Sequence, residues 1–193
     1  MKITLHVQPF LDLSDDNLLL ALSSMNPNLQ IEVNRFQKLT ITMPTKHRTG
    51  NSNIKLATRL QVWNEEHELG EAFDSSTGFR MPKTKSLFSP DFSWIENSRL
   101  EKIWESEGFL HIAPDFVAEL RSDTDTLKEL MEKMEEYIEN GVRLGWLIDA
   151  KNEKVYIYRL ENGNSEQDFD KNLSGETVLP KFELNLRKIF KKK

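Results

Sequence analysis

The stretch APDFVAELRSDTDTLKELMEKMEEYIENGVRLGWLID, residues 113–149, decides the architecture. Pro114 opens a strand over Asp115 to Arg121, whose side chains alternate: Phe116, Ala118 and Leu120 face one way, Val117, Glu119 and Arg121 the other. Asp123 or Thr124 caps a helix in which Leu127, Leu130, Met131, Met134 and Ile138 follow the i, i+3, i+4, i+7, i+11 spacing of one buried stripe. Asn140-Gly141 stops that helix, and Val142 to Ile148 reads as the next strand. The unit is strand, helix, strand.

Downstream, Lys154 to Leu160 forms a further strand across an Asp149 to Glu153 turn. Glu161 to Gly175 is polar and is expected to be a mobile loop, followed by Val178-Leu179-Pro180 and a short helix at Leu186 to Phe190. Upstream, Ser14 is expected to cap a helix over Asn17 to Ser24, and Leu29, Ile31, Val33 and Leu39, Ile41, Met43 alternate as a hairpin turned by Asn34 to Lys38. Thr45 to Ser52 reads as a loop, and Ile54, Leu56, Ala57, Leu60, Val62 and Trp63 as a helix running to Gly70. Ala72 to Met81 and Leu87 to Ile95 read as strands around a Pro82 to Lys85 turn, with a helix at Ser98 to Ser106. No repeat or linker divides the chain, so the expectation is one domain over residues 1–193, a mixed-sheet α/β or α+β fold.

The 193 residues suffice to bury a core without staples, and the absence of cysteine excludes a disulfide framework, a thiolate zinc site and a cysteine nucleophile. The opening residues carry no secretory pattern, and no run reaches the roughly 18 apolar residues of a membrane span. A cytoplasmic protein is expected. A net charge of −5 argues against a surface that binds nucleic acid all over, but leaves room for a local basic groove. Lys46, Arg48 and Lys55 are candidate nucleic-acid contacts within one cluster, although a solvated face is the favoured reading. His47 reads as a solvated loop histidine, and Trp63, Trp94, Trp104 and Trp146 as packing residues.

Three features carry chemistry: Ser89-Pro90-Asp91 before a strand, Glu119 in the middle of an apolar strand, and Lys133 on the next helix. A buried Glu119 needs a cation, which is either Arg121, Lys133 or a metal ion. Asp91, leading into a neighbouring strand, lets two carboxylates converge on one hard cation such as Mg2+, which keeps several waters and completes its sphere with substrate phosphate. Lys133 lies on the flank of the helix stripe, placed to orient or help deprotonate an attacking water; as a plain surface lysine it would instead pair with Glu129 or Glu136.

Together SPDFSWI, the 113–149 stretch continued to Arg159, IEVNRFQKLTITMPT with NSNIKLATRLQVW, GEAFDSSTGFRMP and VLPKFELNLRKIF resemble the Uma-two family of restriction-endonuclease-like nucleases, within the PD-(D/E)XK superfamily, over residues ~29–190. The resemblance implies a restriction-endonuclease-like mixed β-sheet flanked by helices, with an N-terminal helix and hairpin extension and a catalytic core at about 86–160. It implies that Asp91 and Glu119 ligate the metal, that the backbone carbonyl of Leu120 adds a ligand, and that Lys133 stands in for the motif lysine. Arg121 occupies the position where the wider superfamily has that lysine, and a guanidinium is no proton acceptor. Glu129 matches a position more often aspartate, and Glu32 an early acidic position, for which a surface strand glutamate is the favoured reading. Ser122-Asp123 and Lys181 depart from the family's serine-proline and glycine.

The function implied is a hydrolase: a Mg2+-dependent endonuclease, with Mn2+ as substitute, that cuts DNA and acts as a homodimer. The alternative is a nuclease-like fold serving as a non-catalytic nucleic-acid or protein interaction module.

Overall fold

The molecule is described by a computed structural model over residues 2–8, 10–44, 47–100, 103 and 107–190. Its elements are β1 (Lys2–Leu5), α1 (Asp16–Met25), β2 (Gln30–Val33), β3 (Leu39–Thr42), α2 (His47–His67), β4 (Gly70–Asp74), β5 (Phe79–Arg80), β6 (Leu87–Phe88), β7 (Phe92–Glu96), β8 (Phe116–Leu120), α3 (Leu127–Glu139), β9 (Leu144–Asp149), β10 (Lys154–Arg159), β11 (Ser165–Asp168), β12 (Leu173–Ser174), β13 (Glu183–Leu184) and α4 (Leu186–Ile189). They form a six-stranded sheet ordered β11-β10-β9-β8-β7-β4, a five-stranded sheet ordered β1-β3-β2-β6-β5, and a small β12-β13 pair. Only the β8–β9 neighbours in the larger sheet run parallel, because α3 carries the chain back between them.

The alternation in β8 has the consequence expected of it. Phe116, Ala118 and Leu120 join Phe92, Trp94, Trp146 and Ile148 in a core covered by Leu56, Leu60 and Trp63 of α2 and by the C-terminal Phe182, Leu186 and Ile189. On the opposite face Val117 and Leu147 pack under Leu130, Met134 and Tyr137 of α3. Helices thus cover both faces of the six-stranded sheet, which leaves its two central strands buried on both sides. Trp63, Trp94 and Trp146 are buried, in keeping with packing; Trp104 lies outside the described residues.

Several local expectations change. Asp15, not Ser14, caps α1 by accepting from the Asn17 N–H, and Thr126, not Asp123 or Thr124, caps α3. The reason at α3 is that Asp125 closes a preceding turn, accepting from the Ser122 N–H at 3.0 Å and thereby delaying the helix start. α2 begins at His47, so residues 47–52 are helical rather than loop; the passage through Gly50 costs about 1 kcal/mol, offset by burial of Leu56, Leu60 and Trp63 further along. The two long strands flanking residues 82–85 are each broken. Asp74 accepts from the Ser76 N–H in one interruption, and Pro90 removes a ladder donor in the other. The inner pieces β5 and β6 leave the larger sheet and join the N-terminal hairpin through Val33 opposite Leu87. Glu161 to Gly175 contains β11 and β12 rather than loop alone, and the edge strand β1 was not anticipated. Of the helix expected at Ser98 to Ser106, only a 3-10 turn at Asn97–Arg99 is present among the described residues.

Candidate active site

The β7–β8 ladder brings the two carboxylates together. Phe92 stands opposite Ala118 and Ser93 opposite Val117, so continuing the register by one residue sets Asp91 across from Glu119. Phe92 and Ala118 point into the α2 core, so alternation turns both carboxylates to the other face, toward α3. Asp91 Oδ2 accepts from the Leu120 N–H at 2.6 Å, and its Oδ1 accepts from Asn53 Nδ2 of α2 at 2.5 Å. Glu119 Oε1 accepts from the Tyr137 hydroxyl at 2.9 Å and lies 2.7 Å from Lys133 Nζ.

Lys133 and Tyr137 are one turn apart on α3 and therefore share a face. The Lys133 ammonium also donates to Glu32 Oε1 at 2.8 Å, and it sits 5.2 Å from the Phe88 ring centroid and 5.6 Å from that of Tyr137. Glu32 in turn accepts from the Ser89 N–H at 2.9 Å. The favoured reading of Glu32 as a surface strand residue is thereby corrected. Its side chain is 16% exposed and faces the same cleft, because the smaller sheet turns the polar face of its hairpin inward over the carboxylates.

Burial governs the electrostatics. It raises Glu119 to about 7, against the pull of Lys133 in the other direction, with Asp91 and Glu32 adding to the rise. It likewise raises Asp91 to about 6, offset in part by the Leu120 N–H, Lys133 and Asn53. For Lys133, burial favours the neutral amine, but Glu119 and Glu32 outweigh it and hold the proton more firmly than in an ordinary lysine. Tyr137 is raised well above the usual phenol value by burial and by Glu119, so its hydroxyl remains a donor.

The cleft has a volume of about 570 Å³, and its lining carries four carboxylates, Glu32, Asp91, Glu119 and Asp125, against two lysines, Lys2 and Lys133. That excess of negative charge would repel a phosphodiester and attract a cation. Among the described residues no three or more histidine, aspartate or glutamate side chains form a closed cage for a metal. A pair of carboxylates with open space beside it suits an ion that retains water, as Mg2+ does.

Other expected residues lie elsewhere. Arg121 binds Asp149 at 2.7 Å and does not hold Glu119, because β8 has ended and the side chain turns toward the neighbouring end of β9. Lysine at that position should therefore not restore cleavage to a Lys133→Ala protein; a single-turnover comparison of Lys133→Ala with the Arg121→Lys double variant checks this, and recovery would show that both side chains reach one site. Glu129 is at the outer rim, largely exposed and 3.7 Å from Lys2. Arg48 and Lys55 are exposed on α2, His47 is exposed at its first residue, and Lys46 lies outside the described residues. Sequence reasoning missed Asn53, since its segment reads as the edge of a loop, and missed the Tyr137 bond, for which the i+4 spacing from Lys133 was the available signal.

A model of the Uma2 family, described as "Putative restriction endonuclease", matches residues 16–187. The chain belongs to the Uma2 family. Its description places the Uma2 chain among nucleases of the restriction-endonuclease type. The fold of the Uma2 chain is also that of a crystal structure described as "a putative nuclease belonging to DUF820 from Anabaena variabilis ATCC 29413", with a TM-score of 0.72 at 18% identity, covering 83% of this chain and 89% of that one. The mixed sheet flanked by helices expected from the sequence is thus shared with a solved protein. No curated protein matches the Uma2 chain. No helix among its described residues is long and apolar enough to cross a membrane.

Proposed function

We propose that the Uma2 protein is a divalent-metal-dependent endonuclease that hydrolyses phosphodiester bonds in DNA, acting as one domain, with Asp91, Glu119 and Lys133 as its catalytic groups. The observation that carries this reading is the cross-strand carboxylate pair with the Lys133 ammonium seated on a Glu119 oxygen. Asp91 and Glu119 would hold the metal, and the backbone carbonyl of Leu120 is the third ligand we assign. The bound ion supplies Lewis-acid activation of water and offsets charge on the phosphoryl oxygens.

The chain's own residues do the positioning. Leu120 and Asn53 fix the two oxygens of Asp91, and Tyr137 fixes Glu119 from the helix side. Lys133 keeps its proton at neutral pH, so its part is to orient the nucleophile and stabilise negative charge developing on the phosphate rather than to act as a base. Glu32 holds that ammonium from the opposite wall of the cleft. Arg48, Lys55 and Lys46 remain candidate backbone contacts, and a homodimer would offer one such site to each strand of a duplex.

The test is incubation of the purified protein with plasmid duplex, circular single-stranded DNA and RNA in Mg2+, Mn2+ or EDTA. Cleavage of circular DNA that requires the metal is expected. Equal cleavage in EDTA, or none in any metal with folded protein, would exclude the reading.

A further inference from the structure

Among the described residues, α2 sends one side-chain hydrogen bond to the carboxylates, that of Asn53. Asn53 is partly buried in the cleft wall, and its Nδ2 donates to Asp91 Oδ1 at 2.5 Å. Its Oδ1 is buried and has no hydrogen-bond partner. Turning the amide over would set two oxygen acceptors face to face, so the ionised Asp91 dictates which end of the amide it meets. An orphaned buried carbonyl destabilises the fold, and buried groups of that kind call for an explanation outside folding. A leucine of the same bulk would leave no such atom behind.

Asn53 also reaches Asp91 from a different direction than the Leu120 N–H. One donor comes along the strand ladder and the other from the helix across the sheet end, so together they clamp both carboxylate oxygens. A carboxylate held by one donor rotates about its χ2; one held by two presents its remaining lone pairs in a single direction.

We infer that Asn53 is a positioning residue for the metal-binding carboxylate: its amide N–H fixes the rotation of Asp91, while its unpartnered carbonyl oxygen, buried in the cleft wall, is left as an acceptor for a water of the hydrated cation. The inference rests on the metal-site reading above. Groups that orient a ligating side chain without touching the metal typically contribute 10–100-fold in affinity or activity.

The experiment uses the full chain, with Mn2+ alone as the probe, titrated by calorimetry into wild type and Asn53→Ala, Asn53→Leu and Asn53→Gln. Asn53→Ala and Asn53→Leu should each weaken Mn2+ binding about 10–100-fold while staying folded in EDTA, since each deletes the orphaned oxygen together with the donor to Asp91. Asn53→Gln, which keeps the amide, should recover part of the affinity. Wild-type Mn2+ affinity in Asn53→Leu, or no gain of Asn53→Gln over Asn53→Ala, overturns the inference and leaves the metal site standing. Absence of Mn2+ binding by the wild type would overturn the site reading, and this inference with it.

Discussion

Glu119→Gln is expected to lower metal-dependent cleavage at least about a hundredfold, the scale of losing one electrostatic element of a site, and to melt higher than the wild type in EDTA near neutral pH. The second half follows from the raised carboxyl. A glutamate whose folded pKa is about 7, against an ordinary 4.5, binds a proton in the folded state that the unfolded chain releases. Stability from this group therefore falls as pH rises through that window and is level above it. Glutamine has no such proton and keeps a carbonyl oxygen for the Tyr137 hydroxyl, so the melting-temperature gap between variant and wild type should widen between pH 5 and pH 7.5. Asp91→Asn should behave alike over a lower window, from 3.8 to about 6. Saturating Mg2+ should reverse the order, because a ligand that binds only the folded state stabilises it by mass action. Thermal melts across pH with and without metal, beside cleavage rates, check each step; undiminished cleavage by either variant removes that carboxylate from the site, and a gap independent of pH removes the electrostatic argument.

Lys133→Met is expected to abolish turnover at saturating metal while leaving metal affinity within a few-fold. The side chain is 14% exposed and its ammonium lies between Glu32 and Glu119, so its removal strands two carboxylates in the cleft. Breaking a buried pair costs up to about 3–5 kcal/mol, less here to the extent that Glu119 takes up a proton instead. Because lost stability could mimic lost activity, cleavage by Lys133→Met should be read at a temperature where its own thermal melt in saturating metal shows it fully folded, and it should remain inactive there. Wild-type cleavage by Lys133→Met would show that this lysine serves only to neutralise its neighbours.

How much of this was legible beforehand depended on the range of the physics involved. Periodicity is local, so residues 113–149 read correctly as strand, helix and strand, and the two faces of β8 divided as its alternation requires. The glycine at 141, with φ of +106°, ended α3 where the sequence placed the stop. The splitting of the strands around residues 82–85 was not legible, because a short interruption does not say that the pieces beyond it will pair with the hairpin of β2 and β3. Arg121 and Lys133 were both open partners for Glu119, and local pattern could not choose between them. The choice came from where β8 ends, which hands Arg121 to Asp149, and from the rotation of α3, which carries Lys133 over the sheet.

By itself the sequence determined the strand-helix-strand order of residues 113–149, the apolar faces and the family, and it named two carboxylates and a lysine as chemically unusual in their settings. Only the tertiary structure decided that Asp91 and Glu119 meet in one register, that Glu32 crosses from another sheet to share the lysine, and that Asn53 reaches Asp91 from α2. The reason is separation along the chain: Asn53 and Asp91 lie 38 residues apart and Glu32 and Lys133 lie 101 apart, so no propensity or spacing within a few turns of either residue encodes their contact. Their meeting depends on which apolar faces pack together, since it is the burial of those faces against one sheet that brings the four side chains to a common cleft.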